Sequence, residues 1–255
     1  MNFEYEQATL VMGLVSPFVG SFLGTLALRL PAGEPVIWDR SACDSCHHEL
    51  TPGELVPLLS FAVQKGRCRA CGAKLTIFYP IIELAALVVV LWAASAAQGL
   101  AFPLSCLLGW ILLALAAMDA RTYRLSDPLI LAVATCGVFA TWQLVPEQLV
   151  AHIIAGIAGG GALVVVAMAY RALRGRDGLG LGDAKLFGAA GLWVGPQGLI
   201  SCLLLASLTA IIAALALRLS GRELRGDSML PFGPFLALGL WLVWLDGPLV
   251  WNGAF

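Results

Sequence analysis

The stretch "AKLFGAAGLWVGPQGLISCLLLASLTAIIAALALRL", residues 184–219, holds a full-length apolar run, Leu199–Leu219, preceded by a short one, Ala184–Val194, that contains glycines. Whether the short run counts as a membrane crossing sets the side on which every later loop emerges. A helix needs about 20 apolar residues to span a bilayer, so length alone leaves Ala184–Val194 open. The rest of the chain decides.

Of 255 residues, 60% are hydrophobic and 12% charged, against about a quarter charged in soluble domains. Apolar runs recur at Ala8–Leu30, Pro80–Ala97, Phe102–Met118, Pro128–Leu144, Val150–Tyr170 and Phe235–Trp251. With the two opening runs they predict an all-α polytopic membrane protein of about eight transmembrane helices. A removable signal peptide does not explain runs that continue to the C-terminus. The eight-span reading puts 31–79, 119–127, 171–183 and 220–234 on one side. All fifteen Lys and Arg fall in or beside those connections, while Glu4, Glu6, Glu147 and Asp246 lie on the other face without a base. Dropping Ala184–Val194 would scatter the bases over both faces. Basic loops mark the cytoplasm, so both termini are expected to be periplasmic. The net charge of −1 carries no information about a partner beyond the bilayer, and no nucleic-acid partner is expected.

Only one connection is long and polar. It contains "CDSC" at 43–46 and "CRAC" at 68–71. Cys43, Cys46, Cys68 and Cys71 on two Cys-x-x-Cys turns can enclose a tetrahedral zinc ion, and disulfides between them are not expected in a reducing cytosol. Lys65, Arg67, Arg69 and Lys74 would offset the charge of a zinc tetrathiolate. A redox dithiol is the alternative. His47 and His48 follow Cys46 directly, but four sulfurs already complete the shell. Cys106, Cys136 and Cys202 sit in apolar runs and read as small apolar packing residues. The expected division is a first transmembrane helix over 1–30, a four-cysteine zinc domain over 31–79, and a helical bundle over 80–255.

The remaining chemistry lies in acids at helix ends. Asp119 closes the third run in "LLALAAMDARTYRLSD", where the helix dipole disfavours a carboxylate; it reads as a functional acid or as an interface residue neutralised by Arg121 or Arg124. Asp127 precedes Pro128 and reads as a helix cap. Asp183, in "GLGLGDAKLF", could cap the helix that follows. A cap, however, does not call for Gly178, Gly180 and Gly182. Glycine at every second position lets another extended strand approach the backbone, as a protease acting on an unwound substrate requires. Ionisable groups at membrane depth are functional candidates. Two carboxylates sharing one proton can activate water and protonate a leaving amine. Lys185 faces the headgroups or tunes this pair.

The pattern resembles the type IV prepilin peptidases, membrane aspartic proteases of the GxGD class. "GLGD" at 180–183, "MDARTYRLSD" at 118–127, "VGSFLGTLALRLP" at 19–31, the paired Cys-x-x-Cys knuckles, "YPIIELAAL" at 79–87 and "PFGPFLALG" at 231–239 occur in the family's order. The resemblance implies a bacterial inner-membrane enzyme that removes the leader of type IV prepilins and type II secretion pseudopilins at the cytoplasmic face, after a glycine. Asp119 and Asp183 are then catalytic. Gly180, Gly182, Lys185 and Glu83 are the candidate substrate-binding residues, Glu83 being either a ligand for a basic group or an interhelical hydrogen-bond partner. Many members also methylate the new N-terminal amine with S-adenosylmethionine, and Gly66 in "KGRC" is the residue the resemblance links to that cofactor. Two positions depart from the pattern: Gly24 stands where the family generally has asparagine, and Leu125–Pro128 reads Leu-Ser-Asp-Pro where the first motif usually ends in Leu-Pro-Asp. A pure N-methyltransferase is the rival enzyme, without a Gly-rich nucleotide fingerprint to support it. A zinc-stabilised scaffold that only holds pilins is the non-enzymatic rival.

Overall fold

The computed structural model describes residues 3–36, 41–43, 45–175, 178, 180–221 and 230–249. Arg40, Arg176, Arg222 and Arg225 of the charge argument, and the expected end of the last span at Trp251, lie outside the described residues.

The described chain is helical: α1 (Phe3–Ala32), a short α2 (Leu59–Val63), α3 (Phe78–Ala96), α4 (Ala101–Thr122), α5 (Asp127–Leu144), α6 (Leu149–Arg174), α7 (Leu181–Leu219) and α8 (Gly233–Asp246). Six of these, all but α2 and α8, are long and apolar enough to cross a membrane, and α8 is a shorter apolar helix. The protein is a membrane protein. Among the described residues, the bridges pairing Ala42 with Glu49 and Arg67 with Lys74 add the only β-pairing.

Two features account for the difference between eight expected spans and six long helices: the last expected span is the shorter helix α8, and the opening stretch merges two expected spans in one helix. Ala184–Val194 and Leu199–Leu219 both lie in α7, which breaks at Gly195 (φ 63°, ψ −170°). A straight helix would hold residues 187 and 199 about 18 Å apart. Here Phe187 and Leu199 meet at one point, since a side chain on Gly159 would touch both. The chain therefore doubles back. Its first half runs antiparallel to α6, with Gly191 against Gly156 and Gly188 against Gly160. Its second half runs antiparallel to α8, with Gly198 against Val243 and Gly239 against Cys202 and Ala206. Pro196 has no N–H, which strips the Leu192 carbonyl of its helical donor. The Thr141 hydroxyl donates to that carbonyl at 2.7 Å, and His152 Nδ1 lies 3.1 Å from it. In lipid an unpaired carbonyl costs several kcal/mol, so these two side chains are what makes the reversal tolerable.

Close approach of small residues sets the bundle. A Cβ on Gly188 would sit 3.1 Å from the Gly156 carbonyl oxygen, and one on Gly191 would sit 2.6 Å from the Gly156 nitrogen. Trp193 reaches into α5, donating from Nε1 to the Val133 carbonyl at 2.8 Å.

The chain divides into two compact units, Met1–Gly99 and Leu100–Phe255. In the first, α1 and α3 are antiparallel. The Tyr5 hydroxyl bonds the Ala94 and Ala97 carbonyls at 2.6 and 2.9 Å, and Gly20 lies on the backbone of Glu83. In the second, α4 is the innermost helix, burying Leu108, Leu112, Leu115 and Met118.

Candidate active site

Asp119 sits in the last turn of α4 and is buried, 6% exposed. Its Oδ2 accepts a hydrogen bond from the Gly233 N–H at 2.9 Å, at the first residue of α8. Two helix ends compete for this carboxylate. The C-terminus of α4 disfavours it by a few tenths to about 1 kcal/mol, whereas a hydrogen bond to a charged group contributes about 1.5–3 kcal/mol. The α8 terminus wins, and the side chain stays inside. The reading of Asp119 as a residue neutralised by Arg121 or Arg124 is thereby corrected: its bonded partner is a backbone N–H. Gly233 is required by geometry, because a Cβ there would lie 2.7 Å from Oδ2. The motif "PFGPF" alone gives this glycine no partner. The signal was present, a glycine between two prolines at a helix start, but its partner is 114 residues away.

Asp183 lies in the first turn of α7, 9% exposed, and its Oδ1 is buried without a partner among the described residues. It stands within electrostatic reach of Asp119. The two acids therefore share one end of the second unit. The segments that carry them touch as well, since Gly182 packs on Leu125.

The glycine run differs from the expected open strand. Gly180 is extended (φ −68°, ψ 136°) and precedes α7, and a Cβ there would sit 3.1 Å from Asp183 Oδ2. Gly182 is already in the helix, because the Asp183 and Ala184 N–H groups bond to the Gly180 carbonyl. Gly178 is covered by the Tyr170 ring. Extended backbone is shown at Gly180, the residue before α7. Asp127 also departs from expectation. Ser126 occupies the N-cap position of α5, and the Asp127 carboxylate accepts from Lys185 Nζ at 2.7 Å. Both side chains are more than half exposed, and such pairs are worth about 0–1 kcal/mol.

The four expected metal ligands converge in the first unit. The Sγ atoms of Cys43, Cys46, Cys68 and Cys71 all lie within 4.8 Å of one another, with Cys43–Cys71 and Cys46–Cys68 each at 3.9 Å. Zinc–sulfur bonds of about 2.3 Å imply tetrahedral edges of roughly 3.8 Å, whereas a disulfide would need about 2.05 Å. The Cys43 thiol is lowered to about 7 by the backbone N–H groups of Cys46 and Ser45. The Cys46 thiol is lowered by the His48 N–H, yet the clustered thiols, Cys71 first, push it up to about 12. One thiolate forms at the expense of the next, a conflict that a divalent cation removes. The donor set fits a metal.

Glu83 is 5% exposed in the first turns of α3. Its Oε2 accepts the Leu58 N–H at 2.8 Å, so the bond runs to the cysteine-bearing segment and not to another helix. Gly66 (φ 68°) closes the turn after α2, and a Cβ there would press on the Phe61 ring at 3.1 Å. Gly24 lies against the Tyr79 ring, where a Cβ would sit at 3.0 Å. A larger residue at 24 would displace that ring.

Comparison with known proteins follows the same division. Residues 14–97 match the Bacterial Peptidase A24 N-terminal domain, and residues 106–215 match the Type IV leader peptidase family. A prepilin leader peptidase/N-methyltransferase of Aeromonas salmonicida is 34% identical over 93% of this chain and 91% of its own. Proteins of the same description from Dickeya chrysanthemi and Pseudomonas aeruginosa are 35% and 32% identical, covering 91% and 94% of this chain and 89% of each relative. No solved structure matches the chain.

Proposed function

Because the chain belongs to the type IV leader peptidase family, we propose that this prepilin peptidase cuts the leader from type IV prepilins and type II secretion pseudopilins with Asp119 and Asp183 as its general acid–base pair. One observation carries the reading: two buried carboxylates, from α4 and α7, within each other's electrostatic reach. No nucleophilic side chain is needed. One carboxylate takes a proton from water as the oxygen attacks the scissile carbonyl, and the other gives its proton to the departing amine. Asp119, already accepting the Gly233 N–H, is assigned the ionised role. Asp183, with one oxygen lacking a partner, is assigned the shared proton. The substrate backbone lies beside Gly180, and Lys185 with Asp127 marks the rim over which a basic leader passes.

In the same proposal the halves of α7 are two crossings, giving eight spans with α8. The basic loops then face the cytoplasm, the termini face the periplasm, and the enzyme resides in the bacterial inner membrane. Residues 31–79 form the metal-holding domain, with structural zinc on the four cysteines and no open coordination position for water. The peptidase bundle lies within 80–255. The relatives' double description extends the activity to N-methylation with S-adenosylmethionine as donor, in the first unit.

A synthetic prepilin peptide incubated with the purified protein tests this reading by the masses of both fragments. The expected result is a single cut after a glycine, with a methyl group on the new amine when the donor is supplied. An intact peptide, with Asp119→Asn and wild type indistinguishable, overturns it.

A further inference from the structure

Ser126 occupies the N-cap of α5 with extended backbone (φ −78°, ψ 121°). A serine there ordinarily turns its hydroxyl onto a backbone N–H two or three residues on. Here the side chain makes no capping bond, and its Oγ is buried without a partner among the described residues. A buried hydroxyl left in that state is costly. The position is also a departure from the family pattern, whose first motif usually has proline where this chain has Ser126. Neither helix capping nor the family motif therefore accounts for the hydroxyl.

Two contacts set its level in the fold. One residue earlier, Leu125 packs on Gly182, where a Cβ would sit 3.0 Å from the Leu125 Cβ. One residue later, the Asp127 carboxylate accepts from Lys185 Nζ at 2.7 Å. Gly182 and Lys185 bracket Asp183 in the first turn of α7, so Ser126 is held beside that turn. Asp183 is 9% exposed, and its Oδ1 is buried without a partner among the described residues. The two orphaned atoms do not bond each other. A hydroxyl and a carboxyl oxygen thus stand at one junction of α5 and α7 with hydrogen-bonding capacity unspent. A peptide unit, which carries a carbonyl and an amide nitrogen side by side, satisfies both.

We propose that the Ser126 hydroxyl donates a hydrogen bond to the scissile carbonyl oxygen and stabilises the negative charge that collects there. The assignment rests on the acid–base reading of Asp119 and Asp183, and supplies a donor to the reacting atom which that reading leaves without one. As the water oxygen bonds to the carbonyl carbon, Asp119 takes the water proton and the carbonyl electron pair moves onto oxygen. That oxygen accepts the Ser126 O–H. The carbonyl then re-forms, the carbon–nitrogen bond breaks, and the amine leaves with the proton of Asp183. Ser126 keeps its own proton throughout, so it acts as a donor and not as a nucleophile. A donor aimed at developing charge acts mainly in the transition state. Gly182 is then a positioning residue, because its missing side chain admits Leu125 and brings Ser126 level with Asp183.

Ser126→Ala removes the donor, and Ser126→Thr keeps it. The measurement is kcat and KM for a synthetic prepilin peptide with the full-length protein in detergent, with unfolding temperature reporting the fold. Ser126→Ala is expected to lower kcat by at least about tenfold with KM within about threefold of wild type. Its unfolding temperature should not change, since no capping bond is lost. Ser126→Thr should stay within about threefold of wild type in both constants. An alanine variant as fast as an active wild type overturns the donor role and leaves the two aspartates standing. A raised KM at unchanged kcat makes the hydroxyl a ground-state contact and also overturns it. Equal losses in the alanine and threonine variants, with lowered unfolding temperatures, make the residue structural and overturn it too. A wild type that leaves the peptide intact overturns the acid–base reading and this one with it.

Discussion

The two units solve opposite problems with the same amino acids. In the second unit α4 is a core helix, 67% buried over its most apolar window, and its buried acid is held by the end of another helix. In the first, α1 and α3 are each only 28% buried over theirs. There a polar segment brings four cysteine sulfurs together. A dense helical core can position a carboxylate through backbone contact. A small lobe needs cross-links. In this protein the acid pair is set by glycine-mediated packing, with Gly233 on Asp119 and Gly182 on Leu125, whereas the first unit gathers four cysteines.

The largest expected effect breaks the second unit's chemistry outright. Asp119→Asn or Asp183→Asn should lower prepilin cleavage by at least about a thousandfold, within the range general acid–base catalysis supplies, while the protein still inserts; single-turnover cleavage by mass spectrometry measures it. Gly233→Ala tests whether α8 positions Asp119. Its methyl group would sit 2.7 Å from Oδ2, and displacement of about 1 Å costs roughly a hundredfold in rate. A rate within threefold of wild type would remove α8 from the site.

Loss of metal should separate the units. Under the proposed zinc site, Cys43→Ser is expected to lower the metal content of the purified protein, read by elemental analysis. Leader removal should stay within about tenfold, since both aspartates lie in the other unit. Cleavage lost in step with metal would show that the peptidase chemistry depends on the first unit. The smallest effect is expected at Lys185→Met. Its ion pair with Asp127 is exposed on both sides, so thermal stability should change by less than about 1 kcal/mol. A tenfold change in KM for a basic-leader peptide, with kcat held, would assign the lysine to substrate passage.

Much of the site was legible before any coordinates. The Cys-x-x-Cys pairs announce a cluster because ligand spacing is local, and all four sulfurs meet. Asp119 and Asp183 stand out because acids are rare in runs this apolar. Glu54 escaped notice because "TPGE" reads as a turn, and its carboxylate does serve Thr51; nothing in the local sequence says that its second oxygen is buried without a donor. The local sequence of Glu83 fits a ligand or an interhelical bond equally, and its partner, the Leu58 N–H, belongs to a loop 25 residues away.

Composition and period therefore determined the helices, their rough bounds, the cysteine cluster and the candidate acids, because each depends on neighbours along the chain or on the solvent a residue prefers. Only the tertiary structure decided that the 184–219 stretch turns back at Gly195, that a helix start 114 residues away holds Asp119, and that Glu83 holds the Leu58 N–H. Those facts arise from contacts between distant segments, where a missing side chain or a missing N–H on one partner has meaning only once the other partner is beside it.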